Sequence, residues 1–264
     1  MTDGHIKKRL VFYFYTFKNF RDNRANQLHL KCLKHYSRIF DEALFVISLD
    51  ETDDTNLIFE TQVELLKCGF KNIQFKIHKN GPYREAQPFY NEIVKNLRYL
   101  DGITFWGHNK GTTNYNREGA EQESIDAWIL GMYYLNLEFI DEVEKSLCDD
   151  VCRFYGAFLT DCTDTDWRCF AYLGTFYWIN GASVWDDSVL GRIQLPLTCH
   201  QRGFAEELPG LLYGREHLAS HDGIFLYKYD AYTETHIRIN FLLSENMAGY
   251  ENFKKDIIGE KDNL

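Results

Sequence analysis

Residues 10–15 read LVFYFY, a continuous apolar and aromatic run without a charge. Such a run is typical of a strand that is buried on both faces of a parallel sheet, because a half-exposed strand would alternate with polar residues. Residues 23–36 follow with apolar side chains, among them Leu28 and Cys32, on one helical stripe. A second strand-like run, ALFVISL, occupies residues 43–49. The beginning of the chain therefore predicts a strand–helix–strand unit.

The same alternation continues through the first half of the chain. Residues 57–68 predict a helix, and Gly69 is a suitable stop signal for it. Residues 72–77 predict a third strand, residues 87–99 a third helix, and residues 103–106 a fourth strand. Strands that alternate with helices indicate right-handed βαβ units. We therefore expect an α/β fold with a mainly parallel sheet flanked by helices.

The second half of the chain is less regular. Residues 123–148 predict two helices, while residues 153–159 and 171–180 predict strands. Residues 246–264 predict a C-terminal helix with a polar tail. Because no linker-like or low-complexity stretch divides the chain, we expect a single domain over residues 1–264.

Composition excludes several classes of function. The formal net charge of −10 and the pI near 5.4 argue against nucleic-acid binding, since a phosphate backbone would be repelled. No apolar run approaches the ~20 residues needed to span a bilayer, and the polar N-terminus does not resemble a signal peptide. These features predict a cytoplasmic protein, or one that touches a membrane only from its surface. The odd count of 7 cysteines, without a CxxC pair, predicts reduced thiols.

Four loops are expected at one edge of the sheet, because ligands of parallel sheets bind outside the carboxyl ends of the strands. The loops begin at Thr16, Asp50, His78 and Gly107. The last of them, WGHNKGTTN, combines two glycines with a lysine, so that backbone amides and a point charge can surround a phosphate. The alternative is a glycine-rich turn whose lysine points into solvent. The candidate ligand-binding residues of this loop are His108, Asn109, Lys110, Gly111 and Thr112.

Arg84 is a second candidate for binding an anion. It precedes the helix predicted for residues 87–99, and a helix N-terminus favours negative charge. A guanidinium group can also bind phosphate or carboxylate through two parallel hydrogen bonds. The alternative is an ion pair between Arg84 and Glu85 that caps the turn.

Asp164 and Asp166 form a DxD pattern, which can hold Mg²⁺ or Mn²⁺ on a diphosphate. An acidic, solvated surface loop is the alternative interpretation of this segment. No HExxH, GxSxG or Walker-type motif is present.

Further candidates lie in the second half of the chain. Thr175 and Asn180 carry the polar side chains of an otherwise aromatic segment and are candidate ligand contacts, while its rings are expected in the core. Glu206 and Glu207 precede a Leu-Pro-Gly sequence, and either carboxylate can act as a general base. The alternative is an ordinary glutamate at the end of a helix.

Three segments together resemble a known family. These are FWGHNKGTTN at 105–114, DAWILGMYY at 126–134 and YLGTFYWIN at 172–180. They resemble bacterial and viral polysaccharide-biosynthesis proteins that are glycosyltransferase-like, carry an H-x-K-G signature and are distantly similar to rhamnan-synthesis F proteins. The resemblance implies a GT-A-like fold, with a nucleotide-binding half at about 8–122 and an acceptor-binding half at about 123–245.

The resemblance also implies a reaction: transfer of a sugar from a nucleotide-diphosphate donor to a glycan or glycoconjugate in surface polysaccharide assembly. The fourth strand of a GT-A enzyme usually leads into a metal-binding DxD, and here that place is taken by His108 and Lys110. We therefore expect these two side chains, and no required metal, to stabilise the leaving diphosphate. Thr16, Asp50 and Arg84 are expected near the nucleotide. A divalent cation, Mn²⁺ or Mg²⁺, held by the acidic loop stays open as the alternative.

Two other classes of protein compete with this interpretation. A non-catalytic module can keep the same fold and bind a glycan or a nucleotide without turnover. A Rossmann-like methyltransferase is the second rival, but the first strand–helix turn, YTFKNFRDN, lacks the glycines that close approach to such a cofactor usually demands.

Overall fold

The structure, a computed structural model, describes most of the chain in separate stretches. The described residues are 5–16, 22–49, 55–80, 85–96, 101–109, 112, 118–148, 151–161, 170–172, 175–181, 204–213, 215–220, 225–226 and 247–259.

The first half of the chain alternates strands and helices, and this confirms the elements predicted there. The helix predicted for residues 87–99 differs in type, because most of its described part is a π-helix. The elements are β1 (Lys8–Tyr15), α1 (Arg24–Tyr36), β2 (Glu42–Leu49), α2 (Asn56–Lys67), β3 (Ile73–Lys79), α3 (Ala86–Pro88) continued by a π-helix (Phe89–Val94), and β4 (Ile103–His108).

The second half contains the two helices predicted for residues 123–148, but both predicted strands are interrupted. Phe158 and Thr175 adopt left-handed φ angles of 59° and 61°, and a residue in that conformation cannot continue a strand ladder. The elements are α4 (Ala120–Leu137), α5 (Ile140–Leu147), β5 (Phe154–Gly156), β6 (Leu159–Asp161), β7 (Phe170–Tyr172), β8 (Tyr177–Asn180), α6 (Phe204–Leu212), β9 (Leu218–Ala219), β10 (Phe225–Leu226) and α7 (Met247–Gly259).

The main sheet is mostly parallel, as the alternation of elements predicts. Within the described residues its strand order is β3-β2-β1-β4-β8-β5-β9, and a smaller sheet has the order β10-β6-β7. The strands β3, β2, β1 and β4 are parallel, whereas β8 runs antiparallel between β4 and β5. From β1 the chain first builds the sheet on one side, through β2 and β3, and then crosses to β4 on the other side. The switch point therefore lies between β1 and β4.

Helices cover both faces of the sheet, which explains why β1 has no polar alternation. Leu10, Phe12 and Phe14 pack in one core cluster with residues of α1, α2, α4 and α7, on what we call the α1 face. Val11 and Tyr13 belong to the other cluster, with residues of the π-helix and α6, on the α6 face. Burying each large apolar side chain contributes about 1.5–3 kcal/mol, so β1 is held from both sides.

The end of α2 follows the glycine signal in the sequence. Gly69 adopts a φ of +84°, a left-handed conformation that ends helices and that glycine reaches without strain. The N-terminus of α1 also follows a signal in the sequence, because the side chain of Asn23 caps it by accepting a hydrogen bond from the amide of Asn26.

Four cysteines lie within the described stretches, Cys32, Cys68, Cys148 and Cys152, and all four are free thiols. Burial raises the pKa of the Cys68 thiol to about 12 and that of Cys32 well above its ordinary value, so both stay protonated. Among the helices in the described part of the chain, none is long and apolar enough to cross a bilayer.

The glycine before β4 allows a sharp test of the fold. Gly102 has a φ of +77°, and a Cβ added there would lie 2.1 Å from the carbonyl oxygen of Lys7. Gly69 has a similar φ of +84°, but its added Cβ would meet nothing closer than the Ser37 hydroxyl at 3.8 Å. We expect Gly69→Ala to lower the free energy of unfolding by about 1–2 kcal/mol, for backbone strain alone.

Gly102→Ala should lower it by about 3–4 kcal/mol, because β1 and β4 must also move apart. Urea unfolding followed by circular dichroism measures both variants. Equal decreases in the free energy of unfolding of the two variants would contradict the close packing of Gly102 against the backbone of Lys7.

Candidate functional site at the carboxyl edge of the sheet

The end of β4 lies beside the end of β1, at the switch point where parallel sheets bind ligands. His108 is the last residue of β4 and pairs in register with Tyr13. Its side chain is largely buried, and its ring lies 6.2 Å from the ring of Phe176 in an edge-to-face arrangement. The structure therefore brings His108 to the edge at which the sequence predicts the site.

Asn109 continues the ladder between β4 and β1 with its side chain. Its backbone amide donates to the carbonyl oxygen of Tyr13 over 3.2 Å. Its side-chain Oδ1 accepts from the amide of Tyr15, and its Nδ2 donates to the carbonyl oxygen of Tyr15, both over 2.8 Å. On the β4 side, the Asn109 side chain thus takes the place of a backbone partner for the last residue of β1.

The same amide joins this strand end to the beginning of α1. Asn109 Nδ2 donates to Asn26 Oδ1 over 2.9 Å, and the Thr112 hydroxyl lies 3.1 Å from the same oxygen and 2.6 Å from the carbonyl oxygen of Asn109. Asn23 Nδ2 donates to the carbonyl oxygen of Thr112 over 2.9 Å. All four side chains are buried. We call Asn23, Asn26, Asn109 and Thr112 the asparagine cluster.

This cluster contains two residues that the sequence predicts as ligand contacts, Asn109 and Thr112. Both protons of the Asn109 amide group are used inside the protein, and the single hydroxyl proton of Thr112 has internal acceptors. Their side chains therefore have no donor left for a ligand. Their role in this structure is to hold the loop after β4 against β1 and α1.

Thr16 is a third residue whose polar groups are used inside the protein. Its amide and its hydroxyl both donate to the carbonyl oxygen of Ser48, over 2.7 and 2.8 Å. The side chain is fully buried. Thr16 lies at the predicted edge but ties the end of β1 to the end of β2.

Thr175 and Glu206 meet at the same edge as His108. The hydroxyl of Thr175 donates to Glu206 Oε1 over 3.3 Å, and the residue between Thr175 and β8 is Phe176, whose ring contacts His108. The Tyr177 hydroxyl, which donates to the carbonyl oxygen of Ala205 over 2.6 Å, fixes α6 against β8. Burial and the neighbouring Glu206 raise the pKa of Tyr177, so its hydroxyl stays a donor. A half-buried carboxylate is therefore held next to the switch point.

Asn180, a predicted ligand contact, lies at the opposite edge of the sheet from His108, so the structure does not bring these two predicted residues together. It pairs in register with Ile103 at the start of β4, and its Nδ2 donates to the carbonyl oxygen of Leu147 over 2.6 Å. The reason is the direction of β8, which runs antiparallel to β4 and carries the chain away from the carboxyl edge.

Several predicted residues lie outside the described part of the chain. The side chain of Glu207 is also not described, although its backbone belongs to α6. The roles predicted for Arg84 and Lys110 in binding an anion at this edge therefore stay predictions. The residues outside the described stretches are Asp50, Arg84, Lys110, Gly111, Asp164 and Asp166.

No group of three or more His, Cys, Asp or Glu side chains that could hold a metal ion occurs among the residues that the structure describes. A groove of about 710 Å³ lies on the α1 face between α1, α4 and α7, where Arg24 pairs with the buried Asp126. None of the predicted site residues in the described stretches lines this groove.

The α6 face of the carboxyl edge contains two polar side chains that no sequence motif marks as ligand contacts. Ser48 and His78 are cross-strand neighbours of β2 and β3. The Ser48 hydroxyl and His78 Nε2 are buried atoms without a hydrogen-bond partner among the described residues. Burial lowers the pKa of His78, so its imidazole is neutral at pH 7. Unsatisfied neutral groups at a ligand-binding edge can bind hydroxyl or amide groups of a ligand.

Asn23 and Asn26 were also missed, although a signal for Asn23 exists. An asparagine immediately before an apolar helical stripe is typical of a helix N-cap. No sequence pattern indicates that Asn26, inside the first turn, accepts from Asn109 and Thr112.

Comparisons with known proteins do not decide between the competing classes. No protein-family model matches the chain, and no curated protein sequence matches it. The assignment of a function therefore depends on the motifs and on the geometry of this edge.

The asparagine cluster makes a prediction about stability. Asn109→Ala removes a partner from the Tyr15 amide and from the Tyr15 carbonyl, and one of the two donors near Asn26 Oδ1. Because each buried group left unsatisfied costs about 1–3 kcal/mol, we expect the free energy of unfolding to fall by about 3–4 kcal/mol.

Asn72→Ala is the matched control for this variant. The side chain of Asn72 donates an exposed hydrogen bond from Nδ2 to the carbonyl oxygen of Asp41 over 2.9 Å. Its loss should cost about 1 kcal/mol or less in the same urea titration. A cost for Asn109→Ala no larger than that of the control would show that the amide does not hold the two strand ends together.

Proposed function

We propose that the chain is a glycosyltransferase with a GT-A-like fold that transfers a sugar from a nucleotide-diphosphate donor to a glycan or glycoconjugate acceptor. The observation that carries the proposal is the position of His108. It is the last residue of β4 and lies beside β1 at the switch point of the sheet. The H-x-K-G motif begins at the point where an open parallel sheet binds its ligands.

The order of the strands supports the same proposal. A parallel half formed by β1 to β4 comes first in the chain, and the antiparallel β8 and the short β5 and β9 follow. A GT-A-like fold is expected to place a nucleotide-binding half before an acceptor-binding half. In this arrangement the donor would lie over β1 and β4, and the acceptor on the side of β8 and α6.

The negative net charge of the chain favours a role for the lysine of the H-x-K-G motif in binding the donor diphosphate. With a net charge of −10, the protein as a whole repels a diphosphate, so the donor must be met by local cations and backbone amides. Lys110 is the cation of the motif. Asn109 and Thr112 flank the residues 110–111, and the asparagine cluster holds both. A loop held at both ends loses less conformational entropy when it binds the departing diphosphate.

Glu206 is the proposed general base. Its carboxylate accepts a hydrogen bond from Thr175 at the edge that also carries His108. In the reaction it would remove the proton from the acceptor hydroxyl as that oxygen attacks the anomeric carbon and the nucleoside diphosphate leaves. Lys110 and His108 would stabilise the negative charge that develops on the leaving group.

Donor binding is expected to depend on Lys110 and not on a divalent metal. Lys110→Ala should weaken binding of a nucleotide-diphosphate sugar by about ten- to a hundredfold, because one charge-assisted contact to phosphate contributes about 1.5–3 kcal/mol. Isothermal titration calorimetry with UDP- and GDP-sugars, with EDTA present, measures this.

Lys145→Ala is the control, since Lys145 is exposed on α5, whose last turn adjoins Asn180 at the opposite edge. It should bind the donor as the unchanged protein does. Binding that requires Mn²⁺, is abolished by EDTA and depends on Asp164 and Asp166 more than on Lys110 would overturn the metal-free site.

Catalysis separates the enzyme from a binding module with the same fold. Glu206→Gln keeps the size of the side chain and an oxygen acceptor for Thr175 but removes the base. We expect donor affinity to change by less than about threefold, while slow hydrolysis of the donor falls by roughly 10²–10⁴-fold. Hydrolysis is followed by release of the nucleoside diphosphate. If the unchanged protein binds the donor but releases no product, the chain is a binding module.

A further inference from the structure

The outward surface of α2 carries an apolar stripe that lies outside the core clusters of the described residues. Phe59 is 68 % exposed and Leu66 is 55 % exposed. With the partly exposed Val63 they follow the spacing i, i+4, i+7, which places three side chains on one side of a helix. We call Phe59, Val63 and Leu66 the α2 stripe.

The opposite side of the same helix already packs against the domain. Thr61 and Leu65 are fully buried, and Leu65 belongs to the core cluster of the α1 face. The α2 stripe points away from that core, so it contributes little to the stability of the isolated chain. Scattered exposed apolar residues are common, but several on one helix side mark a surface that contacts another molecule.

Charged residues flank the stripe with opposite signs at its two ends. Glu60 lies one residue after Phe59, and Lys67, which pairs with Glu64 of the same helix over 2.8 Å, lies one residue after Leu66. When two copies of the helix lie antiparallel about a two-fold axis at Val63, Phe59 of each copy meets Leu66 of the other. In the same arrangement Glu60 of each copy meets Lys67 of the other. The pattern is therefore self-complementary in both its apolar and its charged residues.

We infer that the α2 stripe is the contact surface of a homodimer with two-fold symmetry. A two-fold interface uses the same surface on both subunits, and such a surface must be complementary to itself. The α2 stripe and its flanking charges meet that requirement, which a surface for an unrelated partner does not have to meet. The inference does not depend on the proposed enzymatic activity.

The affinity of this dimer is expected to be low. Its centre consists of one pair of helices of 12 residues each, which places the interface at the small end of stable contacts. Interfaces of that size are typical of weak association, so we expect a dissociation constant of about 1–100 µM. Concentration-dependent measurements are therefore required to detect it.

Sedimentation equilibrium of the full chain tests the inference. We expect the unchanged protein to pass from monomer to dimer over a range of about 1–500 µM. The double variant Phe59→Ser/Leu66→Ser should weaken the dimer at least about tenfold, since it removes the two largest apolar contacts from each copy. Ile258→Ser is the matched control: Ile258 is 46 % exposed on α7, and its change should leave the association unaffected.

Reversal of the charges tests the geometry of the contact. Glu60→Lys alone and Lys67→Glu alone should each weaken the dimer about three- to tenfold, because like charges then meet across the axis. The double variant Glu60→Lys/Lys67→Glu restores opposite charges and should recover most of the affinity. Recovery distinguishes an antiparallel contact between copies from a general effect of charge on the helix.

Three results would overturn the inference. A monomer at every concentration would do so, as would a dimer that the Phe59→Ser/Leu66→Ser change leaves intact. The third is a monomeric protein that sediments with phosphatidylcholine vesicles and loses that property in the same double variant. The stripe would then be a membrane contact.

Discussion

The structure around the candidate site depends on one buried amide, the side chain of Asn109. It supplies the hydrogen-bond partners of the last residue of β1 and at the same time binds Asn26 at the start of α1. Without it, the amide and the carbonyl group of Tyr15 would lose their partner on the β4 side, where water is largely excluded. A sheet edge that is to bind a ligand must leave polar groups accessible and must also hold the surrounding backbone in a fixed position. The asparagine cluster meets this need by fixing the loop while the α6 face keeps unsatisfied groups at Ser48 and His78.

The sheet could be predicted well from the sequence, because its central strands are buried on both faces. The run LVFYFY at residues 10–15 indicates a strand that is buried on both faces. Two parallel strands must be joined by a crossover connection, so the helices between the strands pack on the faces of the sheet. The irregular second half could not be predicted as well. Phe158 and Thr175 adopt left-handed backbone conformations that their residue types disfavour, so no local rule marks the breaks at these positions.

The candidate site could be predicted only in part, because the same polar residue types bind ligands and make hydrogen bonds within the protein. Motif and chain position predict His108, Thr175 and Glu206 as site residues, and the structure brings these three side chains to one edge. Asn109 and Thr112 look the same in the sequence as ligand-binding residues, and only their partners show that they hold the loop. The position of Asn180, away from the other predicted residues, has a different origin. The sequence indicates a strand but not its direction, and an antiparallel strand of four residues moves its last side chain to the far edge.

Hydrogen exchange measured by mass spectrometry, with and without a nucleotide-diphosphate sugar, tests the location of the binding site most directly. A donor held at the switch point should slow the exchange of amides at the ends of β1 and β4, including Tyr15 and Asn109, because these backbone groups open less often in the complex. Amides near Leu147 and Asn180, at the opposite edge, should exchange at an unchanged rate. Saturating donor that slows exchange only at that opposite edge, or nowhere along the chain, would contradict a nucleotide-sugar site at the end of β4.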